Sequence, residues 1–217
     1  MTFLTDRRRL MLTLAAAAAL PDPAAAQTAS DASLRALEAR VQGWLGVMAL
    51  RADGRILLSH RANDRFPMDS TFKASLAAAV LSRVDQGREH LDRMLPVRRA
   101  DILANSPVTE SLVASGEASV AALCEAAITV SDNAAANLLL GAVGGPAGLT
   151  AFWRGLGDRV TRLDRIEPDL NEGTPGDPRD TTSPAAMAGT LRALLFGRAL
   201  SAESRQRLAG WMGQTRT

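Results

Sequence analysis

Ser70 and Lys73 stand three residues apart in PMDSTFKAS, residues 67–75, and Lys73 is the only lysine among 25 lysines and arginines. Residues three apart on a helix share a face, so the hydroxyl and the amine can come within hydrogen-bonding reach. A serine is a poor nucleophile until a neighbouring base takes its proton. A lysine can be that base once burial or nearby positive charge lowers its pKa, whereas an arginine cannot lose its proton in a protein. Two further stretches add polar groups suited to the same work. Ser131, Asp132 and Asn133 form a polar break between two apolar runs, and Glu167 is followed by Asn171 four residues later in EPDLN. Each also has a plain structural reading, SDN as a helix N-cap and Glu167 as a solvated loop carboxylate. Taken together they point to acyl transfer through an activated serine.

The pattern of the chain predicts the elements that carry these groups. SDASLRALEARVQ begins with capping residues and places Leu34, Leu37 and Val41 at helical spacing. Two apolar runs then meet at Ala52-Asp53-Gly54, and the Asp-Gly pair predicts a hairpin. An Ala- and Leu-rich run from Ser70 to about Val84, closed by Gly87, predicts a buried helix with Ser70 at its amino end. Backbone N–H groups there lack helical acceptors and can stabilise negative charge on an attacked carbonyl. Beyond Leu103 the chain is mostly helical in pattern, which predicts an all-helical lobe. Residues 161–182 are the exception, charged and rich in Pro and Gly, and read as a compact functional loop.

Composition narrows the function classes. A net charge of +2 with arginines scattered among acids, and no tyrosine, argues against nucleic-acid binding. His60 and His90 have no ligand spacing around them, so no metal site is expected. Cys124, the only cysteine, lies in apolar AALCEAAI and reads as a buried structural thiol. Residues 1–26 have a basic start, an apolar run from Leu10 to Leu20, and small residues at Ala24 and Ala26. This is the pattern of an export signal cleaved after Ala26, leaving 27–217 as the mature chain. The apolar run, closed by Pro21, falls well short of the roughly 20 residues that span a bilayer. Arg7, Arg8 and Arg9 also suit a twin-arginine signal.

S-T-F-K at 70–73, SDN at 131–133 and EPDLN at 167–171, with NSPVTE, AAITVSDNAAANLLL, VTRLDR and PGDPRDTTSP between and around them, resemble the class A serine β-lactamases over the whole mature chain. The resemblance implies an α/β (α+β) fold of the β-lactamase/transpeptidase type, an all-helical lobe beside an antiparallel sheet flanked by helices. It implies an exported, periplasmic or secreted monomer that hydrolyses β-lactam antibiotics, penicillins first and cephalosporins next, without metal or organic cofactor. On this resemblance Ser70 is the nucleophile, Lys73 its proton-transfer partner, and Ser131 the proton relay to the departing lactam nitrogen. Glu167, helped by Asn171, would activate the deacylating water, and Asn133 would bind the substrate's amide side chain. Which of Lys73 and Glu167 is the acylation base stays open. Arg165 and Asp180 match the ion pair at the neck of the family's long loop.

There are departures from the family pattern. Asn105 stands where many relatives carry an aromatic residue lining the site entrance, so it would meet substrate differently. Asp69 and Ala77 stand where some relatives have cysteines, so Cys124 is expected to be unpaired. The resemblance also implies further sheet strands and a final helix after GWMGQTRT, including a Lys-Thr-Gly or Lys-Ser-Gly strand. The sequence is therefore expected to be the amino-terminal part of such an enzyme, and to fold and act poorly at this length. Penicillin-binding transpeptidases share the serine and lysine, but Glu167 with Asn171 argues for rapid deacylation. A Ser-His-Asp hydrolase lacks support because Ser70 has no G-x-S-x-G elbow. A non-catalytic remnant is the remaining alternative.

Overall fold

The computed structural model describes residues 32–40 and 43–216. The expected export signal, residues 1–26, lies outside them. The described residues form two units, the first ending at Leu45 and the second beginning at Gly46. In the first, residues 32–40 form helix α1, and Glu38 accepts a hydrogen bond from Leu45 N at 2.9 Å.

The second unit opens with the expected hairpin. Strand β1 (Val47–Leu50) pairs antiparallel with β2 (Ile56–His60), Val47 opposite His60. The turn needs Gly54 at φ +92°, a conformation that costs other residues but not glycine. Among the described residues these strands pair only with each other, and Ile56 and Leu57 stay half exposed. Two shorter ladders follow, β3 (Phe66–Pro67) with β6 (Thr181–Thr182) and β4 (Met94–Pro96) with β5 (Glu117–Ser119). Three-residue and two-residue strands are too short for alternation to announce them, and β5 was not legible in the sequence.

Helix α2 (Phe72–Asp85) runs through the middle of the unit. Phe72, Leu76, Ala77, Ala78, Val80 and Leu81 are all fully buried, so apolar residues occupy every side of the helix. Its alanines let neighbouring backbones approach closely. Around it pack α4 (Val120–Thr129), α5 (Asn133–Val143), α6 (Gly145–Gly155), α7 (Pro184–Phe196) and α8 (Ala202–Gly213), while the short α3 (Pro107–Ser111) lies against α4. Leu123, Leu139, Leu149, Trp153, Leu194 and Leu208 complete the core.

Local chemistry sets the helix starts. Ser119, Asp132, Ser183 and Ser201 each accept a hydrogen bond from a backbone N–H in the first turn of α4, α5, α7 and α8. Pro184 at the first position of α7 has no N–H to lose there. No single helix among the described residues is long and apolar enough to cross a membrane.

Candidate active site

The chain enters α2 through a 3-10 turn, Asp69–Thr71, with Asp69 held at φ +43°. Ser70 thus sits at the amino end of the central helix, and Lys73, one turn on, points into the site with 2% of its surface exposed. Five oxygens lie close to Lys73 Nζ: Ser70 Oγ at 3.1 Å, Ser131 O at 2.9 Å, Ser131 Oγ at 3.0 Å, Asn133 Oδ1 at 2.6 Å and Glu167 Oε1 at 3.1 Å. An ammonium has three protons, so it cannot serve all five at once. The Glu167 contact is the one without hydrogen-bond alignment, and Oε1 accepts no other protein donor. It is an electrostatic contact made by proximity. Burial pushes the Lys73 pKa below its ordinary value of 10.5, although the charge of Glu167, and less so Asp132, pulls it back up. Ser131 Oγ donates to Ser70 Oγ at 2.8 Å, which closes a triangle of two hydroxyls and one amine.

The SDN turn has both the structural role and the polar convergence that the sequence left as alternatives. Asp132 is fully buried and caps α5 through Ala135 N at 2.9 Å. Its carboxylate also accepts from Val108 N at 3.0 Å, Thr109 N at 2.9 Å and Thr109 Oγ1 at 2.8 Å, tying the turn to α3. Ser131 and Asn133 flank this anchor and face Lys73. Asn133 Nδ2 donates to Ala104 O at 3.0 Å, and Asn105 Nδ2 donates to Ser131 O at 2.8 Å.

Glu167, 2% exposed, is held from three sides. Asn171 Nδ2 donates to its Oε2 at 2.7 Å, as the four-residue spacing allows. Asn137 of α5 brackets its backbone, accepting from Glu167 N at 3.0 Å and donating to Glu167 O at 2.9 Å. The neck of the loop is closed by Asp180, which accepts from Arg165 Nε at 2.6 Å, Asp164 N at 2.7 Å and Arg165 N at 3.0 Å. The structure therefore brings Ser70, Lys73, Ser131, Asn133 and Glu167 together, puts Asn171 against the glutamate and leaves Asn105 exposed beside Ser131, with Arg165 and Asp180 in the loop's neck. Sequence reasoning missed Asn137 and the anchoring role of Asp132. A lone asparagine inside the apolar run NAAANLLLGAV was the available signal, since a polar group on a buried helix needs a partner.

Ser70, Thr71, Lys73, Ala74, Ser131 and Thr215 line part of a cleft of about 320 Å³ beside these groups. The profile of the β-lactamase enzyme family matches residues 29–217. An ancestral class A β-lactamase (GNCA) is 60% identical with a TM-score of 0.84, over 86% of this chain and 72% of that one. A protein described as the last common ancestor of Gram-negative bacteria's class A β-lactamase (GNCA4) is 59% identical at 0.84, over 87% and 72%. PenP from Rhodopseudomonas palustris, assigned to the same class, is 55% identical at 0.84, again over 87% and 72%.

The chain belongs to the class A β-lactamases.

It is thus a β-lactam hydrolase, spanning 72% of the length of each of these three structures. In this β-lactamase Cys124 is free and buried, and burial raises its pKa, as fits a structural thiol. Among the described residues there is no group of three or more His, Cys, Asp or Glu side chains placed to hold a metal ion.

Proposed function

We propose that the protein hydrolyses penicillins, and cephalosporins after them, through an ester on Ser70. The observation that carries this reading is the position of Lys73 Nζ, 3.1 Å from both Ser70 Oγ and Glu167 Oε1 and 3.0 Å from Ser131 Oγ. Ser70 Oγ attacks the lactam carbonyl carbon, and its proton enters this network through Lys73 or Glu167. Negative charge builds on the carbonyl oxygen, where the first-turn N–H groups of the helix are suited to meet it. The lactam C–N bond then breaks. Ser131 Oγ gives its proton to the departing nitrogen and is reprotonated from Lys73, so protons balance over the acylation half.

Deacylation needs a base aimed at the ester from another side. The Asn137 and Asn171 contacts hold the Glu167 carboxylate beside Ser70 for that purpose. Glu167 takes a proton from water, the resulting hydroxide attacks the ester carbonyl, and Ser70 leaves with the proton returned to its oxygen. The support given to Glu167 favours hydrolysis over the long-lived acyl-enzyme of a transpeptidase. Asn133, whose amide meets Lys73 through Oδ1 and Ala104 O through Nδ2, is the family's candidate for the drug's side-chain amide. The basic start and short apolar run of residues 1–26 support export before the enzyme acts.

The test is loss of lactam absorbance for benzylpenicillin, a cephalosporin and a carbapenem, each with the unmodified protein and with Ser70→Ala. Penicillin turnover abolished by Ser70→Ala is the expected result. Turnover that survives the substitution would remove Ser70 from the mechanism.

A further inference from the structure

The Ser131 carbonyl receives two donors, Lys73 Nζ at 2.9 Å and Asn105 Nδ2 at 2.8 Å. A carbonyl oxygen has two lone pairs, so these two donors fill its capacity. Both residues on this contact have left-handed backbones, Asn105 at φ +56° and Ser131 at φ +55°. Asparagine adopts that conformation readily, whereas serine does so only when its surroundings hold it there. The surroundings are explicit. Asn133 N donates to Asn105 O at 2.9 Å, Asn133 Nδ2 to Ala104 O at 3.0 Å, and Ala134 N to Ser106 Oγ at 3.0 Å. The segment 104–106 is therefore tied at several points to the SDN turn, and the Asn105 amide is the tie that ends on Ser131 itself.

We propose that Asn105 is a positioning residue for acylation, holding Ser131 in the turn that aims its hydroxyl at Ser70 and sharing the Ser131 carbonyl with Lys73. This rests on the acyl-transfer reading of Ser70, Lys73 and Ser131, and it gives Asn105 a role through Ser131 rather than through contact with the drug. Without the amide, two things change. The turn loses its restraint, so Ser131 Oγ is no longer fixed 2.8 Å from Ser70 Oγ. The carbonyl is also left to Lys73 alone, which favours the charged ammonium over the neutral amine. The charged groups that act on Lys73 are Glu167 from the loop and Asp132 from the turn, and the substitution removes neither. The contact is exposed.

Asn105→Gly separates the amide from the backbone, because glycine takes a positive φ at no cost. Acylation by benzylpenicillin, followed by rapid quench and intact mass, should slow about fivefold at saturating drug with an unchanged binding constant, the loss expected for one partly exposed hydrogen bond. In a Ser131→Ala background the same substitution should cost clearly less, because the share that runs through the Ser131 hydroxyl is gone and only the share through the retained backbone carbonyl and Lys73 remains. A weakened binding constant with an unchanged rate, or the same fivefold loss in both backgrounds, would overturn the proposal. Because Lys73 is the chain's only lysine, 13C-lysine labelling gives one side-chain signal to titrate by NMR. Asn105→Gly should raise the measured Lys73 pKa, and an unchanged titration would refute the shared carbonyl. This second readout needs no turnover. A protein that forms no Ser70 adduct defeats the acyl-transfer reading, while the lysine titration still decides whether Asn105 and Lys73 share the Ser131 carbonyl.

Discussion

Asp132→Ala removes one buried carboxylate and with it four hydrogen bonds, two to each oxygen. Ala135 N, Val108 N and Thr109 N lose their partner, and so does Thr109 Oγ1. Hydrogen bonds to an ionised acceptor contribute about 1.5–3 kcal/mol each, and an N-cap alone about 1 kcal/mol. Adding four such terms overstates the loss, because removing the carboxylate also removes its own cost of burial and because water can enter the gap. A net destabilisation of about 3–5 kcal/mol follows, well above the usual effect of a point substitution. Asp132→Asn separates the parts. One oxygen stays to cap α5 and accept from Thr109 Oγ1, while the new NH₂ faces the N–H groups of Val108 and Thr109, so about half of the loss should remain. Urea unfolding followed by ellipticity at fixed pH measures both variants. The same substitution removes a negative charge that pulls the Lys73 pKa up, so Asp132→Ala should lower the pKa read from the single lysine signal. Stability of Asp132→Ala within about 0.5 kcal/mol of the unmodified protein, the range of an ordinary surface change, would refute the reasoning.

Three other perturbations have distinct expected outcomes. Lys73 binds its proton less tightly folded than unfolded, so it opposes folding at neutral pH; relative to Lys73→Met, the unmodified protein should gain stability as pH rises from the lowered Lys73 pKa toward 10.5, and a flat difference across that window would contradict the burial argument. Asn137→Leu keeps side-chain bulk but releases both backbone contacts of Glu167, so deacylation should slow by about tenfold or more, measured by the lifetime of the acyl-enzyme. Asp180→Ala opens the neck of the loop, and its residue must also hold φ +53° without asparagine-like tolerance; the expected result is faster proteolysis within 161–182 and a longer-lived acyl-enzyme, and protection equal to that of the unmodified protein would exclude the neck from loop order.

The chemistry was more legible than the frame that holds it. A single lysine in an arginine-rich chain marks the one cation that can lose its proton, and its spacing from Ser70 places both groups on one helix face. The hairpin at Asp53-Gly54 follows from turn chemistry, and apolar patterning predicts a helix from Ser70 to about Val84 where the structure has a 3-10 turn at Asp69–Thr71 and a helix over Phe72–Asp85. What patterning could not supply was long-range pairing. Asp132 reads as a cap within its own stretch, and nothing local shows that it also anchors Val108 and Thr109. Asn137 meets Glu167 thirty residues later, and β3 pairs with β6 across more than a hundred. Such contacts depend on tertiary packing, which neither propensity nor period encodes. The loop from 161 to 182 shows the same division. Its Pro and Gly content announces an irregular segment, but its closure rests on contacts across the neck, from Asp164 and Arg165 to Asp180 and from Arg162 to Thr181.

The most direct test of the central claim is intact mass of the protein after mixing with benzylpenicillin, compared among the unmodified chain, Ser70→Ala and Glu167→Gln. An adduct of one drug mass that forms and clears in the first, never forms in the second, and accumulates in the third is the predicted result. An unmodified chain whose mass never changes while the drug persists, or an adduct that survives Ser70→Ala, would contradict the account.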